Sequence, residues 1–155
     1  HSIARRQRQM CIRDRHKSHL PSEILTNLDN VEHNQPIYLK GINFVSLCEH
    51  HLLPFTGLVN IAVYPNSKIA GVSKFSELVN ILSNNLTLQE TLTKNIAIEI
   101  QNALDPKGVM VKISANHMCS SLLNIENSQT EFETTYSTGI YEIDHTLRNE
   151  AILNF

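Results

Sequence analysis

The chain is 155 residues long, 41% hydrophobic and 18% charged, with a formal net charge of −2. That is the size and composition of one globular domain; it excludes a disordered chain and offers no global basic field for a nucleic acid polymer. No run of roughly 18 apolar residues occurs, so no membrane-spanning helix is expected.

The first residues lack the apolar stretch of a secretory signal. The three cysteines, Cys11, Cys48 and Cys119, are an odd number, which argues against a disulfide scaffold and for a reducing, cytoplasmic compartment. Residues 1–15, HSIARRQRQMCIRDR, hold five arginines and one aspartate, whereas Arg148 is the sole arginine beyond them. The string RRQRQMCIRDR resembles translated adaptor read-through, so 1–15 is read as a non-native tail and Cys11 is set aside with it. A basic nucleic-acid arm and a targeting segment are the alternatives.

Residues 16–35 are polar, and Pro21-Ser22-Glu23 could open a short helical turn before Leu25 and Leu28. From Pro36 the pattern turns to strand. Ile37–Leu39 and Ile42–Leu47 flank Gly41, which marks a bulge. Pro54 closes the next loop, Leu58–Tyr64 forms a second strand, and Pro65-Asn66-Ser67 ends it. Lys68–Val72 is a short extended piece before Ser73, a candidate N-cap.

Two helices follow. Phe75, Leu78, Val79 and Leu82 share one helical face, with Asn84-Asn85 as the stop. Leu92, Ile96, Ile100, Ala103 and Leu104 share another, from about Gln89 to Leu104, ended by Asp105-Pro106-Lys107-Gly108. Val109, Val111, Ile113 and Ala115 then alternate with Met110, Lys112, Ser114 and Asn116, as in a half-buried strand. Ser128–Ser137 reads as a fourth strand, and 144–155 as a helix turning Leu147, Ala151 and Ile152 inward. Hairpins flanking a helix pair imply an α+β fold: antiparallel sheet with two helices packed on one face.

Cys48-Glu49-His50-His51 follows the first strand, and His117-Met118-Cys119 follows the third long one. Residues 117 and 119 share strand parity, so both side chains can leave one face. A structural zinc site takes four closed ligands, whereas a catalytic one takes three and keeps a position open. Cys48, His51 and Cys119 supply three donors, and His50 and His117 are left beside them for proton transfer near neutral pH. A buried cysteine and solvated surface histidines are the alternatives.

Cys48-Glu49-His50-His51-Leu52-Leu53-Pro54-Phe55, with Ser46 before and Gly57 after, resembles the signature of GTP cyclohydrolase I. Gly71-Val72-Ser73-Lys74, Gln89-Glu90-Thr91-Leu92-Thr93 and His117-Met118-Cys119 resemble its later blocks in order and spacing, with weaker similarity through Ser137-Thr138-Gly139 to Arg148-Asn149-Glu150. The resemblance implies a tunnelling fold (T-fold) over 36–155, with 16–35 the remnant of an N-terminal region. It also implies a ring-shaped homo-oligomer with active sites between subunits. The implied reaction is zinc-dependent opening of the guanine imidazole ring of GTP, giving formate and 7,8-dihydroneopterin triphosphate at the start of tetrahydrofolate or pterin biosynthesis.

By the same resemblance Cys48, His51 and Cys119 would hold Zn2+, and His50 and His117 would move protons. Glu90 would accept hydrogen bonds from the guanine edge as a buried carboxylate. Gln89 would help position the nucleotide, and Ser73 and Lys74 would meet the triphosphate or ribose. Glu77 and Leu123 stand where the family carries arginine, and Asn84 and Asn85 where it carries basic residues. These departures favour, as one alternative, a guanine compound with fewer phosphates. A non-catalytic zinc-binding assembly subunit is the other.

Overall fold

The computed structural model describes residues 24–25, 29–30, 32–123 and 130–155. In chain order the strands and helices are β1 (Asp29–Asn30), β2 (Ile37–Cys48), β3 (Pro54–Tyr64), β4 (Lys68–Ile69), α1 (Val72–Ser83) and β5 (Leu86–Thr87). They continue as α2 (Gln89–Leu104), β6 (Gly108–His117), α3 (Met118–Leu123), β7 (Glu131–Gly139), α4 (Ile140–Ile143) and α5 (His145–Asn154). The tail at 1–15, the turn expected at Pro21-Ser22-Glu23 and the start of the fourth strand at Ser128 lie outside the described residues.

The main sheet runs β5-β2-β3-β6-β7. The long strands pair antiparallel, as the hairpin pattern predicts. The short β5 lies parallel to β2 and carries too little pattern to be read from sequence. The expected bulge is present: the β2–β3 register shifts between Leu39 and Ile42. There Gly41 has φ +71°, a left-handed conformation that glycine adopts without Cβ strain, and its N–H donates to Asn60 Oδ1 at 2.8 Å.

β3 begins at Pro54 rather than Leu58. A proline is tolerated as the first residue of a strand, where its missing N–H costs no interior ladder bond. Ser73 is not the N-cap of α1. That position belongs to Gly71 in an extended conformation, and Ser73 sits exposed in the first turn.

α1 packs on β2, and α2 on β6 and β7. Phe55, Val59, Ile61, Leu78, Leu92, Ile96, Ile100 and Ile113 are all fully buried between them. Each such side chain contributes about 1.5–3 kcal/mol through burial. The opposite face is partly covered as well. α4 and α5 bring Tyr141 and Ala151 onto Ala62 and Met110. Met110, expected outward, is therefore buried. Ile152, expected inward, stays exposed at 42%, because Ala151 and Leu147 take the contacts of α5. Among the described residues no helix is long and apolar enough to cross a membrane.

Candidate active site

Strand register gathers the reactive side chains at one end of the sheet. Leu47 pairs with Pro54, so Cys48 ends β2 at the hairpin. Phe55 pairs with His117, the last residue of β6, and Asn116 pairs with Glu131 at the start of β7. Cys48 also pairs with Thr87 of β5, and the chain then delivers Gln89 and Glu90, the first turn of α2, to the same end. The turn after Cys48 is closed by Cys48 N–H to Leu53 O at 2.9 Å and Leu52 N–H to Cys48 O at 2.8 Å. Leu52 is held there at φ +57°, uncommon for a side chain of its size.

A cavity of ≈ 290 Å³ opens at this end, lined among others by Cys48, His50, His51, Gln89, Glu90, His117 and Cys119. Cys48 is buried, Cys119 and His117 are half-buried, and His50 and His51 are exposed with their rings 6.1 Å apart. β6 ends at His117, so Cys119 reaches the cavity from the first turn of α3 and not by strand parity. Glu90 also lines the cavity but is exposed, not the buried carboxylate expected. Ser73 and Lys74 do not line it. Lys74 Nζ is paired instead with Glu77 Oε2 at 3.0 Å on the surface of α1. The Leu123 side chain is outside the described residues.

His117 is the most constrained group. Its ring stacks on Phe55 with centroids 4.6 Å apart and planes 6° apart, and meets Phe132 edge-on at 5.6 Å. Its Nε2 lies 2.8 Å from Gln89 Oε1. Burial pushes the imidazole below its ordinary value, and the Glu90 carboxylate opposes this in part. Gln89 is itself only 1% exposed. Its amide nitrogen lies 2.9–3.1 Å from Phe132 O, Ile113 O and Thr134 Oγ1, three acceptors that share its two hydrogens. Both polar ends of Gln89 are thus engaged inside the protein rather than turned to a ligand.

Phe55, Phe132 and Thr134 escaped the sequence reading. Phe55 lies within the signature octet, but nothing local marks Phe132 or Thr134, whose contacts depend on register across β6 and β7.

For a metal, the chemistry of the donor set fits zinc: two thiols and an imidazole line one cavity. Among the described residues, however, no three His, Cys, Asp or Glu side chains converge closely enough to ligate a single ion.

The shape matches solved structures at low sequence identity. An archaeosine synthase QueF-Like, in its apo form, superposes with TM-score 0.58 over 70% of this chain and 97% of that one, at 17% identity. Dihydroneopterin aldolase of E. coli, in complex with neopterin, gives 0.54 over 68% and 99%, at 8% identity. Both likenesses speak for the fold alone, an α+β T-fold. In sequence, GTP cyclohydrolase 1 of Rickettsia typhi is 47% identical over 119 residues, 77% of this chain and 62% of that protein. The chain spans about three-fifths of the length of the curated relatives it matches. The model of the family described as GTP cyclohydrolase I matches residues 4–154, nearly the whole chain, and with the relative's identity this establishes that the chain belongs to the GTP cyclohydrolase I family.

Proposed function

We propose that the protein hydrolytically opens the imidazole ring of the guanine in GTP, releasing C8 as formate and yielding 7,8-dihydroneopterin triphosphate. The observation that carries this reading is the single cavity shared by Cys48, His50, His51, Glu90, His117 and Cys119 in a chain of this family. Cys48, His51 and Cys119 would hold zinc. The chemistry such an ion supplies when bound is Lewis acidity that makes water nucleophilic at neutral pH.

The remaining work falls to side chains. Glu90 accepts from the N1–H and 2-amino group of guanine, which present donors on one edge. His117, clamped between Phe55 and Phe132, and the exposed His50 move protons as the ring opens. At ≈ 290 Å³ the cavity sits at the small end of the ~300–1,000 Å³ range of ligand pockets. It suits a purine base, and ribose and phosphates would extend beyond it. A second copy of the chain would then bring Ser73 and Lys74 to the phosphates, in a homo-oligomer whose sites lie between subunits.

One observation favours a second reading. Lys74 is already paired with Glu77, so the cation expected to meet the phosphates is partly neutralised. A guanine compound with fewer phosphates would suffer less from this than GTP. The test is to incubate zinc-loaded protein with GTP, GMP and guanosine separately, following formate and pteridine absorbance, with His117→Ala as blank. Formate and pterin from GTP are expected, with His117→Ala slower by about 10²–10⁴-fold. Preference for GMP or guanosine establishes the second reading. No formate from any of the three, with zinc bound and the protein assembled, overturns both.

A further inference from the structure

We infer that Gln89 is a positioning residue that fixes the ring of His117 as its Nε2–H tautomer, with the lone pair on Nδ1. The tautomer follows from hydrogen-bond geometry alone. Its effect on turnover rests on the proposed function above.

The amide of Gln89 cannot be turned around. Ile113 O and Phe132 O are main-chain carbonyls that can only accept, and both lie within 3.1 Å of the same end of the side chain. That end must therefore be the NH2 group. A reversed amide would set its oxygen against two carbonyl oxygens in a buried position.

The hydroxyls beside it point the same way. Thr93 Oγ1 donates its one hydrogen to Gln89 O at 2.7 Å. In the 2.7 Å contact between Thr93 Oγ1 and Thr134 Oγ1 the donor is then Thr134. Thr134 Oγ1 is left to face Gln89 Nε2 with a lone pair, at 3.1 Å, as a third acceptor sharing the two amide hydrogens.

With the nitrogen so placed, Gln89 Oε1 faces His117 Nε2 at 2.8 Å. An amide oxygen only accepts, so Nε2 must carry a hydrogen. Among the described residues Nδ1 has no hydrogen-bond partner. The stack on Phe55 and the edge contact with Phe132 hold the ring in the orientation that sets Nε2, rather than Cε1, against Gln89. In a neutral His117 the lone pair is thus on Nδ1.

The anchors of this arrangement come from three elements. α2 supplies Gln89 and Thr93, β6 supplies Ile113 and His117, and β7 supplies Phe132 and Thr134. Gln89 therefore acts through His117, not on the nucleotide.

The experiment is a long-range 1H–15N spectrum of protein labelled with [15N]histidine, at a pH where His117 is neutral, beside Gln89→Leu. For the unmodified protein, one protonated Nε2 and one unprotonated Nδ1 are expected at His117. An Nδ1–H signal or an averaged pair there overturns the inference, whatever the variant does. In Gln89→Leu the tautomers are expected to mix, with kcat falling at least about tenfold and KM within about twofold. A raised KM with unchanged kcat shows Gln89 binding nucleotide directly and also overturns it. Should Gln89→Leu fail to fold, the spectrum of the unmodified protein decides alone. An Nε2–H tautomer in a protein that releases no formate sinks the proposed function and leaves the role of Gln89 standing.

Discussion

Gly57 leaves no space for a methyl group: a Cβ there would meet Ser114 O and lie 2.7 Å from Ala115 Cα, both main chain on the neighbouring strand. Gly57→Ala must therefore push β3 away from β6 two residues from Phe55, the platform for His117. A loss of about 1–3 kcal/mol is expected, read as a Tm lower by about 2–4 °C per kcal/mol. Tyr141 predicts the opposite sign. It is fully buried, and its hydroxyl has no hydrogen-bond partner among the described residues. Burial, reinforced by Tyr38 and Glu150, pushes its pKa up, as expected of a phenol with nothing to stabilise its anion. Tyr141→Phe removes that stranded group at nearly constant shape, so stability should hold or rise by about 1 kcal/mol; a fall in Tm would show the hydroxyl to be bonded. At this scale, what sequence reveals is what lies close along the chain. Cys48, His50 and His51 were legible because four consecutive residues carry them. The grip on His117 was not, because Gln89 meets Ile113, Phe132 and Thr134 only once two strands are in register.

α2 is the element that joins core to site. Its buried face, Leu92, Ile96, Ile100 and Leu104, anchors it on the sheet, while its first turn presents Gln89 and Glu90 to the cavity. Its limits were legible from spacing, since an apolar residue recurs every turn until Asp105-Pro106 interrupts it. The C-cap is a compromise. Asp105 adopts φ 46°, ψ 50°, and places a carboxylate at the negative end of the helix. Cβ strain there is about 1–2 kcal/mol, against about 0.5–1 kcal/mol of extra chain entropy for glycine. Asp105→Gly is therefore expected to raise stability by about 0.5–1 kcal/mol in a denaturant titration, with activity unchanged because the residue lies at the far end of α2 from Gln89. Alternation misjudged Met110 for a reason of the same scale. A period of two reports a strand with one wet face, and β6 is covered on both where α4 and α5 fold back.

In the whole molecule, one chain supplies a base-sized cavity at the sheet end, yet Ser73 and Lys74 sit off it on α1. The fold gives one chain few ways to bring them together, because α1 is packed on β2 and its first turn is fixed with it. β7 is the last strand in the sheet order, and Phe132 on it is 43% exposed. These features support a site completed by a second copy, which has a consequence that stability measurements cannot mimic. On the proposed function, Lys74→Ala and Glu90→Gln should each lose about ten- to a hundredfold in kcat/KM for GTP, since each would remove a charge-assisted hydrogen bond to the substrate. If the two residues meet across an interface, assemblies formed by dissociating the variants together and letting them reassociate contain sites with both side chains intact. Formate release from the mixture should then exceed that of either variant alone, while separately reassembled samples show no gain. A mixture no more active than its components, in a protein whose light scattering confirms mixed assemblies, would mean that each site draws both residues from one chain. Lys74 would then have to leave Glu77 and reach the cavity by a movement of α1.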